Sequence, residues 1–249
     1  MIVKATKSER RVLEALCRRI IACRRCPRLV RHRERTAREK VRRYRDWEYW
    51  GRPLPGFGDP AARLLVVGLA PAAHGGNRTG RIFTGDRSGD FLYRALYRAG
   101  FANQPISTDR GDGLRLTHCY ITASVRCAPP GNRPIPAELR RCRPFLLEEL
   151  DLLHNVRVIV ALGQIAFRVC LEALEVRGLQ LPTPRPFFGH GQVVPLNGRL
   201  VLLASYHPSQ QNTQTGRLTD AMFQRIFHIA KRHLDAPPRR TPAKPRRRG

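Results

Sequence analysis

Apolar positions in this chain follow two patterns, and the two alternate. Over residues 8–22 (SERRVLEALCRRIIA), Val12, Leu13, Leu16, Ile20 and Ile21 recur near helical spacing on an otherwise basic segment, which predicts an amphipathic helix. An Arg-rich stretch over 31–50 carries Tyr44, Trp47, Tyr49 and Trp50, and the chain then turns at Pro53, Pro55 and Gly56. Next comes an uninterrupted apolar run, Leu64-Leu65-Val66-Val67-Gly68-Leu69, between Pro60 and Pro71, as expected for a strand buried on both faces. The alternation continues with helix 88–98, strand 119–125, helix 136–153, strand 157–162, helix 164–174, strand 200–205 and helix 219–234. Strands separated by helices predict an α/β fold, with a mainly parallel four-stranded sheet covered on both faces. In such sheets ligands bind beyond the carboxyl ends of the strands, so the loops after Leu69, Val125 and Ser205 are expected to converge.

With 249 residues and 42% hydrophobic content, the chain has material for one packed domain, expected over 1–236. The Pro- and Arg-rich stretch 237–249 (PPRRTPAKPRRRG from Pro237) reads as a disordered basic tail. No run of 18 apolar residues occurs, so no membrane span is expected. The opening MIVKATKSERRV has no apolar signal region, which predicts a cytoplasmic protein whose cysteines stay as thiols or metal ligands.

Charge sharpens the picture. The net charge is +27, and residues 1–52 carry 18 Lys/Arg against 6 Asp/Glu. Residues 231–249 carry 8 against 1, so a milder body sits between two basic arms. That distribution suits a polyanion binder, nucleic acid above all. Of the 46 bases 41 are Arg, so an Arg-rich proteome would also produce part of the excess.

Two polar loops look like a site. The first runs Gly68-Leu-Ala70-Pro-Ala-Ala-His-Gly-Gly-Asn-Arg-Thr-Gly-Arg-Ile-Phe83-Thr-Gly-Asp86-Arg-Ser88. It contains neither the GK[ST] of a P-loop nor GxGxxG, and Pro71 removes an amide donor. It offers close backbone approach, an aromatic and one acid. Asp86 or Ser88 would cap the following helix, leaving the other available. The second loop, Ser205-Tyr-His207-Pro-Ser-Gln-Gln-Asn-Thr-Gln-Thr-Gly-Arg217-Leu218-Thr, sets a histidine at a strand's carboxyl end. Among seven cysteines, Cys23 and Cys26 form a CxxC, and Cys127 and Cys142 a wider pair beside prolines. Spacing alone leaves an iron–sulfur cluster, an all-cysteine zinc site and plain structural thiols open. Cys17, Cys119 and Cys170 read as core residues.

GLAPAAHGGNRTGRIFTGD together with SYHPSQQNTQTGRLT resembles the two signature motifs of the uracil-DNA glycosylase superfamily, and most closely its family 5, or type B. CRRCPRLV and VRCAPPGNRPIP extend the resemblance over about 20–235. It implies a three-layer α/β/α sandwich and a [4Fe-4S] cluster on Cys23, Cys26, Cys127 and Cys142. It also implies Gly68, Ala70, Phe83, Asn132 and His207 around an extruded base. Most of the superfamily carries a polar residue after the first motif's proline, where this chain has Ala72. Type B members use instead an acid after Arg-x-Phe, which here is Asp86. Ala123 stands where related families have an asparagine, which implies acceptance of further deaminated bases such as hypoxanthine.

The expected activity is excision of uracil from DNA by a monomeric enzyme. His207 would stabilise the leaving base, Asp86 would hold the water, and Arg217 and Leu218 would meet the DNA, Leu218 as a wedge or, equally, as a buried residue of the next helix. The rival readings are a non-catalytic nucleic-acid-binding protein with a structural metal, and a metal-dependent nucleotide hydrolase.

Overall fold

The computed structural model describes residues 5–196 and 200–236. The predicted tail 237–249 lies outside them. Two helices open the chain, α1 (Lys7–Ile21) and α2 (Pro27–Glu39). A capping box starts α1: Thr6 Oγ1 accepts from the Glu9 amide (3.2 Å) while the Glu9 carboxylate accepts from the Thr6 amide (2.6 Å). Proline at the first position starts α2, where no amide donor is needed.

Then come β1 (Phe57–Gly58), β2 (Leu64–Gly68), α3 (Gly76–Thr79), α4 (Arg87–Arg98), β3 (Cys119–Ala123), α5 (Pro136–Leu152), β4 (Val158–Leu162) and α6 (Gln164–Val176). The chain closes with β5 (Val193–Pro195), β6 (Val201–Ser205), α7 (Gln210–Gln214) and α8 (Asp220–Asp235). The sheet order is β1-β3-β2-β4-β6-β5. The four predicted strands are its parallel centre, and short antiparallel β1 and β5 widen it to six.

Every residue of the four central strands is buried, because the sheet has helices on both sides. Leu65, Val67, Ile159, Ala161, Leu202 and Ala204 face a core shared with α1, α5 and α6. Their neighbours Leu64, Val66, Val158, Val160 and Leu203 face the core of α4 and α8. The α/β/α sandwich is therefore built on the period of two. A buried ion pair ties α5 to the loop after β3: Arg126 Nη2 meets Glu149 Oε2 at 2.5 Å, and Thr122 donates to the same oxygen at 2.6 Å. Cys119 and Cys170 lie in the core as expected, and Cys17 is half-buried.

Candidate functional site

The loops after β2, β3 and β6 meet at the carboxyl edge of the sheet. The Ser124 and Val125 amides donate to the Gly68 and Leu69 carbonyls, each at 2.9 Å, and the Gly163 amide donates to Ser205 O at 2.8 Å. Gly68 has no side chain because Phe83 lies on it: a Cβ there would stand 2.7 Å from the Phe83 ring. Phe83 is itself buried at φ +52°, a left-handed conformation that costs an aromatic residue about 1–3 kcal/mol. Its ring faces that of His207, with centroids 5.9 Å apart and planes inclined by 31°.

His207 is held by its backbone, whose carbonyl accepts from Asn212 Nδ2 at 2.9 Å. The ring has no hydrogen-bond partner among the described residues, and burial pushes its pKa down to about 4. At neutral pH it is an uncharged imidazole with a free N–H to give.

The two carboxylate oxygens of Asp86 face different neighbours. Its Oδ1 accepts from the Gly89 amide at 2.9 Å and so caps α4. Its Oδ2 rests on Gly75, where a Cβ would come within 2.1 Å. Of the two expected capping candidates, the one that caps α4 is Asp86 and not Ser88. Burial raises the carboxyl's pKa, while the Gly89 and Ser88 amides and Arg78 pull it back.

Beside Asp86 opens a cavity of about 640 Å³ lined by Ala72, His74, Arg78, Asp86, Asn132 and Gln210 among others. Asn132 reaches it from an exposed 3-10 turn at φ +56°. Phe83, His207, Gly68 and Ala70 do not line it. Sequence reasoning missed His74 and Arg78, although both stand inside the first loop motif. Arg78 is 4% exposed and packs its guanidinium against the rings of Tyr44 (3.9 Å) and Trp47 (4.2 Å).

Arg217 is exposed, its guanidinium 4.9 Å over Tyr206. Leu218 is not available as a wedge, because it is 1% exposed. It precedes the N-cap Thr219 of α8 and shares a core with Phe223 at the fourth helical position, the places of a hydrophobic staple.

The four cysteines converge. Cys23 follows α1, Cys26 precedes α2, Cys127 lies after β3 and Cys142 in α5, and all four line one narrow cavity with Leu29, Val30 and Phe145. Cys127 Sγ accepts from Arg33 Nη1 (3.0 Å) and Cys142 Sγ from the Arg126 amide (3.3 Å). Burial pushes these two thiols up to about 12 and about 11. No set of three or more His, Cys, Asp or Glu side chains among the described residues is arranged to hold a metal ion. No helix among them is long and apolar enough to cross a membrane.

The sequence pattern of the family described as the uracil DNA glycosylase superfamily matches residues 55–231. A type-5 uracil-DNA glycosylase of Mycobacterium tuberculosis is 56% identical over 214 residues, 86% of this chain and 78% of that protein. A type-5 uracil-DNA glycosylase of Thermus thermophilus is 54% identical over 219 residues, 88% of this chain and 97% of that protein. A type-4 uracil-DNA glycosylase of Pyrobaculum aerophilum is 31% identical over 163 residues, 65% of this chain and 74% of that protein. With a match across most of its length and the site's loops inside it, this chain belongs to the uracil DNA glycosylase superfamily.

Proposed function

We propose that this chain excises uracil from DNA, and with it other deaminated bases such as hypoxanthine, by hydrolysing the N-glycosidic bond. The observation that carries this reading is the neutral His207 ring set against Phe83 where the sheet's loops meet. Breaking the bond sends its electron pair to the base nitrogen and leaves positive charge on the sugar. A water oxygen then bonds to the sugar carbon, and the water's proton ends on the base. His207 gives its N–H to the developing base anion, as a preorganised donor whose ring is already stripped of water. Asp86 orients the water and offsets the sugar's charge, Phe83 stacks on the extruded base, and Asn132 reads its edge. Exposed arginines of α2, Arg43 and Arg217 contact phosphates.

Cys23, Cys26, Cys127 and Cys142 would hold a [4Fe-4S] cluster. Four thiols in one cavity suit a group that takes one thiolate per iron, spaced more widely than the ligands of a single ion. Arg33 and the Arg126 amide supply the donors that cluster thiolates need. Bound there, the group would pin α2 to α5 and brace the DNA-facing surface.

The test is incubation with uracil-containing and hypoxanthine-containing duplexes, followed by alkali to reveal abasic sites. Excision that persists in EDTA supports the proposal. No strand cleavage with either base, from folded protein, would overturn it.

A further inference from the structure

His74 stands in the wall of the Asp86 cavity, and nothing above gives it work. Its Nδ1 lies 3.1 Å from the Tyr49 hydroxyl, whose ring meets the imidazole edge-on at 6.0 Å. Tyr49 is 8% exposed, and its hydroxyl has no other hydrogen-bond partner among the described residues. Were the phenol to accept from Nδ1–H, its own buried proton would have no acceptor. Tyr49 therefore donates to His74 Nδ1, and the imidazole proton resides on Nε2.

The neighbours hold this arrangement rigid. Arg78 Nε donates to the His74 carbonyl at 2.8 Å, and the Asn77 amide donates to Ala72 O at 3.0 Å. Just beyond Tyr49, the Trp50 and Gly51 amides donate to the Arg78 and Asn77 carbonyls at 2.9 and 3.1 Å. Nε2 is left without a partner among the described residues and is not sealed from solvent. Burial and the nearby Arg78 charge both push the ring's pKa below its ordinary value.

We propose that His74 is a substrate-contacting residue that donates its Nε2–H to an oxygen of the extruded nucleotide, with Tyr49 as the positioning residue that selects this tautomer. The inference rests on the cavity being the nucleotide site. The acceptor is a base carbonyl or a phosphate oxygen, since both offer the same lone pairs to a neutral donor.

Histidine nitrogen NMR of the free protein tests the first half without any activity. Native protein should show Nε2 protonated and Nδ1 bare, and Tyr49→Phe should mix the two forms. Native protein with the proton on Nδ1 would overturn the proposal whether or not uracil is excised.

The second half uses two amides that each copy one ring nitrogen. In His74→Gln the amide nitrogen reaches where Nε2 stands, whereas in His74→Asn the amide copies only the Nδ1 side. His74→Gln should keep single-turnover excision within about 3-fold, and His74→Asn should lose on the order of 10-fold, the worth of one neutral hydrogen bond. A loss in rate at unchanged affinity identifies a base oxygen. An equal loss of affinity for uracil-containing and abasic duplexes identifies a phosphate. Asn working while Gln fails, or both matching the native protein, would show that His74 only completes the Tyr49 contact. A native protein that binds but excises nothing sinks the glycosylase reading and leaves the tautomer result standing.

Discussion

Adding one methyl group at Gly75 should disable Asp86 without touching it chemically. A Cβ there would lie 2.1 Å from Asp86 Oδ2, 2.9 Å from Cγ and 3.0 Å from Cβ. Ordinary contact begins near 3.4 Å, so the carboxylate must retreat by about 1 Å. A displacement of about 1 Å in a reacting constellation costs on the order of 10²-fold in rate. The same movement loosens the Oδ1 cap of α4, worth about 1 kcal/mol, or roughly 2–4 °C of melting temperature for a chain of this size. Gly75→Ala should therefore slow single-turnover excision about 100-fold with only a small fall in melting temperature. The decisive assay is the double-mutant cycle with Asp86→Ala, which removes the clashing oxygens. If Gly75 acts through Asp86, adding Gly75→Ala to Asp86→Ala should cost little more. Native-like excision by Gly75→Ala, or a full further 100-fold loss in the double mutant, would refute the reasoning.

His207→Ala should slow excision by about 10²–10³ while DNA affinity changes little, measured by single-turnover kinetics and direct binding. It should also flatten one limb of the stability curve. The native ring titrates near 4 and the unfolded one near 6.5, so its stabilisation is present above 6.5 and lost as pH falls toward 4. Urea titrations of native and variant protein should thus differ in pH slope by up to about 3 kcal/mol across that window. Purified protein should be brown with four irons per chain, and Cys127→Ser should lose colour and iron; zinc in the native protein would contradict this. Leu218→Ala should cost about 2–5 kcal/mol by thermal melting, as a core truncation does, with excision by the remaining folded protein unchanged. A stable variant with impaired excision would restore the wedge.

The chain's hydrophobic pattern determined the central architecture, because strands buried on both faces and amphipathic helices write their burial directly into residue order. The runs LLVVG and VIVAL could bury only in a parallel sheet between helices, and the chemistry-bearing loops had to follow their carboxyl ends. The motif residues Phe83, Asp86 and His207 were legible for the same reason. Helix α2 was not: its buried side is Leu29, Val30, Arg33 and Thr36, and an arginine turned inward to meet Cys23 O and Cys127 Sγ breaks the apolar stripe. Edge strands of two and three residues carry too little pattern to be read at all. Leu218 was ambiguous because one apolar residue in a polar loop looks alike whether it serves a partner or a core. Only Phe223, packed into the same core, decided it. Tertiary structure alone also seats Asp86 Oδ2 on Gly75, turns Tyr49 toward His74, and gathers four cysteines from three separate stretches of chain. These contacts join positions from 11 to more than 100 residues apart in sequence, and local periodicity carries no record of partners so distant.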